Sequence, residues 1–148
     1  MITRRKFLAV AGVLAAGAGG PAAATPAAVQ EVLRRLTGGA APQKGRVRLD
    51  VPPLIENGNS VVLSVTVDSP MTAADHVKAI HVFAPENPLP LVVSVHLGPR
   101  AGRARFTTRI RVADSQTLLA VAQLSDGTFW SDSVAVVVTL AACAEEVK

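Results

Sequence analysis

Val61-Val62-Leu63-Ser64-Val65-Thr66-Val67 is the stretch that decides the fold. Val61, Leu63, Val65 and Val67 recur at every second residue, the period of a strand with one buried face. The same period returns upstream in Val47, Leu49 and Val51, and downstream in Leu91, Val93, Val95 and Leu97 and in Val134, Val136, Val138 and Leu140. Further runs lie at Val77 to Phe83, Arg103 to Val112 and Thr117 to Leu124. Between the runs stand Pro52-Pro53, Glu56-Asn57-Gly58-Asn59, Ser69-Pro70, Pro85 to Pro90, Gly98-Pro99 and Ser125-Asp126-Gly127, all rich in residues that favour turns. About seven strands at this spacing predict an all-β fold, an antiparallel β-sandwich. No internal repeat or low-complexity linker interrupts it, so residues 40–140 are expected to form one domain.

Ahead of the strands the period is helical. Thr25-Pro26 offers a cap with proline at the first helical position, Val29, Val32, Leu33 and Leu36 make one apolar stripe, and Gly38-Gly39 ends the run. This predicts a single helix over residues 25–39. Its stripe needs a surface to cover, either this chain's own sheet or a partner.

The first 24 residues read as an export signal. Arg4-Arg5 precede an apolar stretch, the pattern of twin-arginine signals. From Phe7 to Gly20 there is no charge, but a helix of that length rises only about 21 Å against a hydrocarbon core of about 30 Å. Ala22-Ala23-Ala24 supplies the small residues a signal peptidase needs. The expectation is export by the twin-arginine pathway to the periplasm, with residues 1–24 removed and no membrane attachment afterwards. Three of the 15 Lys and Arg leave with the signal, so 12 basic residues face 11 acidic ones and the pI of 10.0 loses its weight. With 3% aromatic residues and no Tyr, the chain has little to stack on bases, which argues against nucleic acid as a partner.

Few residues are placed to do chemistry. His76, His81 and His96 are the only histidines, and their spacing does not predict the three or four converging ligands of a metal site. Nucleotide and acyl-transfer motifs are absent. On a strand from Arg103 to Val112, Arg103, Arg105, Arg109 and Arg111 share one face with Thr107. Such a face attracts an acidic partner or a small anion, or else blunts an edge strand against aggregation. The remaining candidate is Cys143, the single cysteine, in the tail Ala141 to Lys148. In an oxidising compartment a lone thiol implies an intermolecular partner or a thiol kept to react. Glu145 and Glu146 beside it disfavour the thiolate, which suits an attachment point better than an attacking nucleophile.

The segments Glu56 to Val61, Asp68 to Phe83, Asn87-Pro88, Thr108 to Arg111 and Ser125-Asp126-Gly127, in this order and between a twin-arginine signal and a near-terminal cysteine, resemble the SoxY family of sulfur carriers in bacterial thiosulfate oxidation. The resemblance implies an immunoglobulin-like sandwich that pairs with a SoxZ-like subunit as a heterodimer. It also implies a carrier that is not itself an enzyme and needs no cofactor, with the sulfur intermediate held as a covalent adduct on Cys143. A c-type cytochrome would load thiosulfate, a hydrolase would release sulfate, and a sulfane dehydrogenase would oxidise the remaining sulfur. The tail departs from the family pattern. The family arm reads Gly-Gly-Cys-Gly-Gly at its end, whereas Ala141, Ala142 and Ala144 flank Cys143 here and Glu145-Glu146-Val147-Lys148 follow. Alanine narrows backbone freedom relative to glycine, so a stiffer arm is expected, and the added Glu145, Glu146 and Val147 require either wider channels in the partners or a SoxY-like paralogue with a different route for its sulfur. The alternative is a SoxY-like binding or assembly module whose tail thiol carries nothing.

Overall fold

In the computed structural model of the chain, which describes residues 26–139, Val61, Leu63, Val65 and Val67 point into the core and none is more than 4% exposed. They belong to β4 (Val61–Val67), the middle strand of a three-stranded antiparallel sheet between β2 (Val47–Asp50) and β7 (Ala104–Ile110). Facing it is a six-stranded sheet of β1 (Gln43–Lys44), β9 (Phe129–Val138), β8 (Gln116–Leu124), β5 (Val77–Phe83) and β6 (Leu91–His96), with β3 (Leu54–Ile55) also paired to β9. The predicted immunoglobulin-like sandwich is therefore present, as nine strands rather than about seven. The two additions, β1 and β3, are two residues each and run parallel to β9. Segments so short carry no readable period.

One helix, α1 (Pro26–Thr37), lies on the outer face of the larger sheet. Val29 and Leu33, with Val32 and Leu36 at the margin, cover Phe83, Val121 and Phe129. The apolar stripe thus finds its surface within this chain. Gly38 and Gly39 adopt φ of 63° and 91°, and Gly39 N–H donates to the Arg34 carbonyl at 3.0 Å, closing the helix with the left-handed turn that glycine accommodates without strain. Glu31 pairs with both Arg34 and Arg35 on the solvent side. Because α1 covers the second face of β5, that strand is buried nearly throughout, and its run of apolar residues replaces a clean alternation.

Two expected strands differ in detail. The alternation expected over Leu91 to Leu97 is broken by a bulge: Val82 pairs Val93 while Phe83 pairs Leu91, leaving Val92 as the extra residue. Leu91 consequently packs with the helix, whereas Val93 packs with the inter-sheet core. The last strand begins at Phe129, five residues before the expected Val134, and ends at Val138. Its polar start has a structural purpose, because the Asp132 carboxylate accepts the Leu49 N–H at 2.8 Å and ties the two sheets together. Leu140, the residues of the expected signal and the tail bearing Cys143 lie outside the described residues. Among the described residues no helix is long and apolar enough to cross a membrane.

Gly45 holds the turn between β1 and β2 at φ 112°, and an added Cβ would stand 3.4 Å from the Trp130 ring. Gly45→Ala is expected to cost about 1–3 kcal/mol by forcing an L-residue into that region. Urea denaturation measures it; an unchanged midpoint would show that the turn relaxes freely.

Candidate functional site

The sandwich has two ends, and the candidate residues divide between them. At one end β9 hands the chain over to the tail. Val137 N–H donates to the Pro53 carbonyl at 2.8 Å and Thr139 N–H to the Ile55 carbonyl at 2.9 Å, while Val138 N–H donates to Ser115 Oγ at 2.9 Å. Asn87 fastens the neighbouring loops. Its side-chain amide donates to the Arg111 carbonyl at 2.8 Å, and its Oδ1 accepts the Ala113 N–H at 2.9 Å. The chain therefore leaves the domain from a braced root. Leu54 and Val137, paired side by side there, remain 59% and 56% exposed. Cys143 itself lies outside the described residues; it stands four residues beyond Thr139, a covalent reach of at most about 14 Å.

The arginine face is where the expected geometry is regrouped. Arg103, Arg105, Arg109 and Arg111 are all exposed, as strand alternation requires. Arg109 and Arg111 belong to the tail end: Arg109 donates to Ser60 Oγ at 3.3 Å, and the Arg111 backbone is held by Asn87. Arg105 stands six residues from Arg111, about 20 Å along a strand. It joins a different set. β2 and β7 flank β4 in register, so that Arg48, Thr66 and Arg105 form one row across the outer face of the smaller sheet. Arg46 and Arg103 close the end of this row around an open pocket of about 340 Å³, to which Asp68 also contributes.

Arg46 is held firmly. It adopts φ 53°, a left-handed conformation that costs a non-glycine residue about 1–3 kcal/mol and persists only where its surroundings impose it. Here Asp68 N–H donates to the Arg46 carbonyl, and Arg46 Nε donates to the Asp68 carbonyl at 3.0 Å. The guanidinium lies 5.7 Å from the centre of the Trp130 ring and 3.7 Å from the Asp75 carboxylate. Arg46 and Arg48 were not among the residues singled out from sequence. The available signal was the alternation Arg46, Arg48, Asp50, which sets a second polar face beside the arginines of β7 once the two strands share a sheet.

Two of the three histidines meet. His81 and His96 lie on neighbouring β5 and β6, edge to face with ring centres 6.1 Å apart, and His81 Nδ1 bonds Ser94 Oγ at 2.8 Å. His76 sits elsewhere, against the Thr72 carbonyl. Among the described residues no three His, Cys, Asp or Glu side chains come together as a metal site would need. Burial first, and then the neighbouring His96, hold the His81 pKa below its ordinary value. A lowered folded-state pKa means that the unfolded chain binds the extra proton more readily. The stability from neutral His81 is present above its unfolded pKa, near 6.5, and is lost as pH falls toward the folded value. His81→Gln should therefore flatten the decline of melting temperature as pH falls below about 6.5. An identical decline in variant and parent would remove His81 as its source.

With this geometry in place, comparison with known proteins is informative. A family model described as sulfur oxidation protein SoxY matches residues 33–143. The chain belongs to the SoxY family. Among solved structures, the sulfur carrier protein SoxY from Chlorobium limicola f thiosulfatophilum superposes with a TM-score of 0.62 at 25% identity, covering 76% of this chain and 96% of that one. A superoxide reductase (neelaredoxin) from Ignicoccus hospitalis gives 0.56 at 16% identity, covering 64% of this chain and 80% of that one. A putative superoxide reductase from Thermotoga maritima gives 0.54 at 20% identity, with 66% and 87% covered. At such identities the likeness to the reductases shows the fold alone. No curated protein matches the chain.

Proposed function

We propose that this SoxY-family protein is a periplasmic carrier of sulfur intermediates, with the substrate attached covalently to Cys143. The observation that carries the reading is the extent of the family match, which runs from within α1 to residue 143 and so ends on the only cysteine in the chain. The solved relative at 25% identity is itself named a sulfur carrier. The braced end of β9 suits the role, because a tail that must present its thiol to several enzymes needs a fixed point of origin.

The chemistry belongs to the partners. Joining the Cys143 sulfur to the sulfane sulfur of thiosulfate forms one S–S bond, releases the thiol proton and passes an electron pair to a c-type cytochrome. Water then cleaves the bond to the terminal sulfonate, which leaves as sulfate, and a persulfide stays on Cys143. A sulfane dehydrogenase oxidises that sulfur further. The carrier supplies no catalytic residue and no cofactor, and it works as one half of a heterodimer with a SoxZ-like subunit. Export through the twin-arginine signal at Arg4-Arg5 delivers it folded, bound to that subunit.

Incubating extract of thiosulfate-grown cells with thiosulfate labelled in its sulfane sulfur tests this. Label should appear on this chain and be released by a thiol reductant. Label found only on other chains would refute the carrier role.

A further inference from the structure

We infer that Arg46, Arg48, Arg103 and Arg105 form a binding site for a small divalent oxyanion of the sulfate class, separate from Cys143. Four arginines line the pocket with a single acidic residue, Asp68. The Asp75 carboxylate offsets only Arg46. Among the described residues no carboxylate stands within ion-pair distance of Arg48, Arg103 or Arg105, so the positive charge of three side chains awaits a counter-charge. Arg48 and Arg105 flank Thr66 from either side. Thr66 therefore offers a hydroxyl at the floor between two planar forks that each donate in pairs to oxygens.

The character of the lining selects the ligand. Its apolar members, Val67 and Ala104, are at most 4% exposed and offer an organic body no surface to cover. The one aromatic ring beside the site, Trp130, lies against Arg46, so a base has nothing to stack on. What remains is recognition by charge and hydrogen bonds, which suits a compact ion of high charge density. Arg46, clamped in a strained conformation by Asp68 and Trp130, gives the site one pre-set wall.

The site takes a free ion rather than this chain's own adduct. Trp130 precedes Val138 by eight residues, about 27 Å of strand, whereas Cys143 reaches at most about 14 Å beyond Thr139. The inference is independent of the carrier reading, and each can fail alone.

The test is an amide NMR titration of the full chain with sodium sulfate and with thiosulfate, set against sodium chloride at matched ionic strength. Saturable shifts are expected at Thr66, Asp68 and Arg105. Arg48→Ala and Arg105→Ala should each weaken binding about tenfold, and Arg109→Ala should leave it unchanged. Both arginines lie on the outer face, so the folded spectrum is retained, and Thr66→Val, which keeps the shape without the hydroxyl, gives a second readout of weakened binding. Equal shifts with chloride, full affinity in the arginine variants or in Thr66→Val, or an acidic peptide binding more tightly than sulfate at the same ionic strength would each overturn the assignment.

Discussion

Cys143→Ser is expected to abolish sulfur loading while leaving the fold intact. No other residue in the chain offers a thiol, and a serine hydroxyl forms no stable bond to sulfane sulfur under conditions where a thiol exchanges freely. The effect on loading is therefore all or none. Its effect on stability is expected to stay within about 0.5 kcal/mol, because both apolar clusters of the domain are built from residues 29–138. Label transfer from thiosulfate and a thermal melt on the same sample check both halves. Residual labelling in the serine variant would place the attachment elsewhere, and a lowered melting temperature would give Cys143 a structural role.

Phe83→Ala is expected to destabilise the domain severely. Phe83 is fully buried on the helix side of β5, between Leu119 and Leu91, against Val29, Leu33, Val121 and Phe129. Removing a buried phenylalanine ring costs about 3–5 kcal/mol through lost transfer energy and the cavity left behind. Against a typical domain stability of about 5–15 kcal/mol, that is at least about a fifth of the total. The cavity opens beneath α1, so the helix should undock first, exposing the Val29 and Leu33 face to limited proteolysis. Urea denaturation that moves by less than about 1 kcal/mol would mean that α1 contributes little to holding the domain together.

The sandwich was legible where burial is one-sided. β2 and β4 alternate because one face meets the core and the other meets solvent. Legibility failed where a second layer intervened: β5 carries a near-continuous apolar run because α1 covers its outer face. It failed again at Val92, where a single inserted residue moves Leu91 to the opposite side of the sheet. Asp132 obscured the start of β9, since a polar residue whose partner is the backbone N–H of Leu49, 83 residues away, looks like a loop residue in isolation.

The candidate sites show the same boundary. Cys143 is conspicuous because it is a single residue type occurring once. The arginines of β7 were visible as a face but not as a site, because what separates Arg105 from Arg111 is its neighbour across β4. Arg48 comes from a strand 57 positions away in the chain, and only the register of three strands places the two on either side of Thr66. His81 and His96 likewise meet only through the pairing of β5 with β6.

The central claim, that Cys143 carries sulfur, is tested most directly by the intact mass of the protein isolated without reductant from the periplasm of cells oxidising thiosulfate. The account predicts a chain shortened by its signal, bearing extra sulfur or a sulfur oxyanion that maps to the peptide containing Cys143 and disappears on reduction. An unmodified thiol during active thiosulfate oxidation would contradict it.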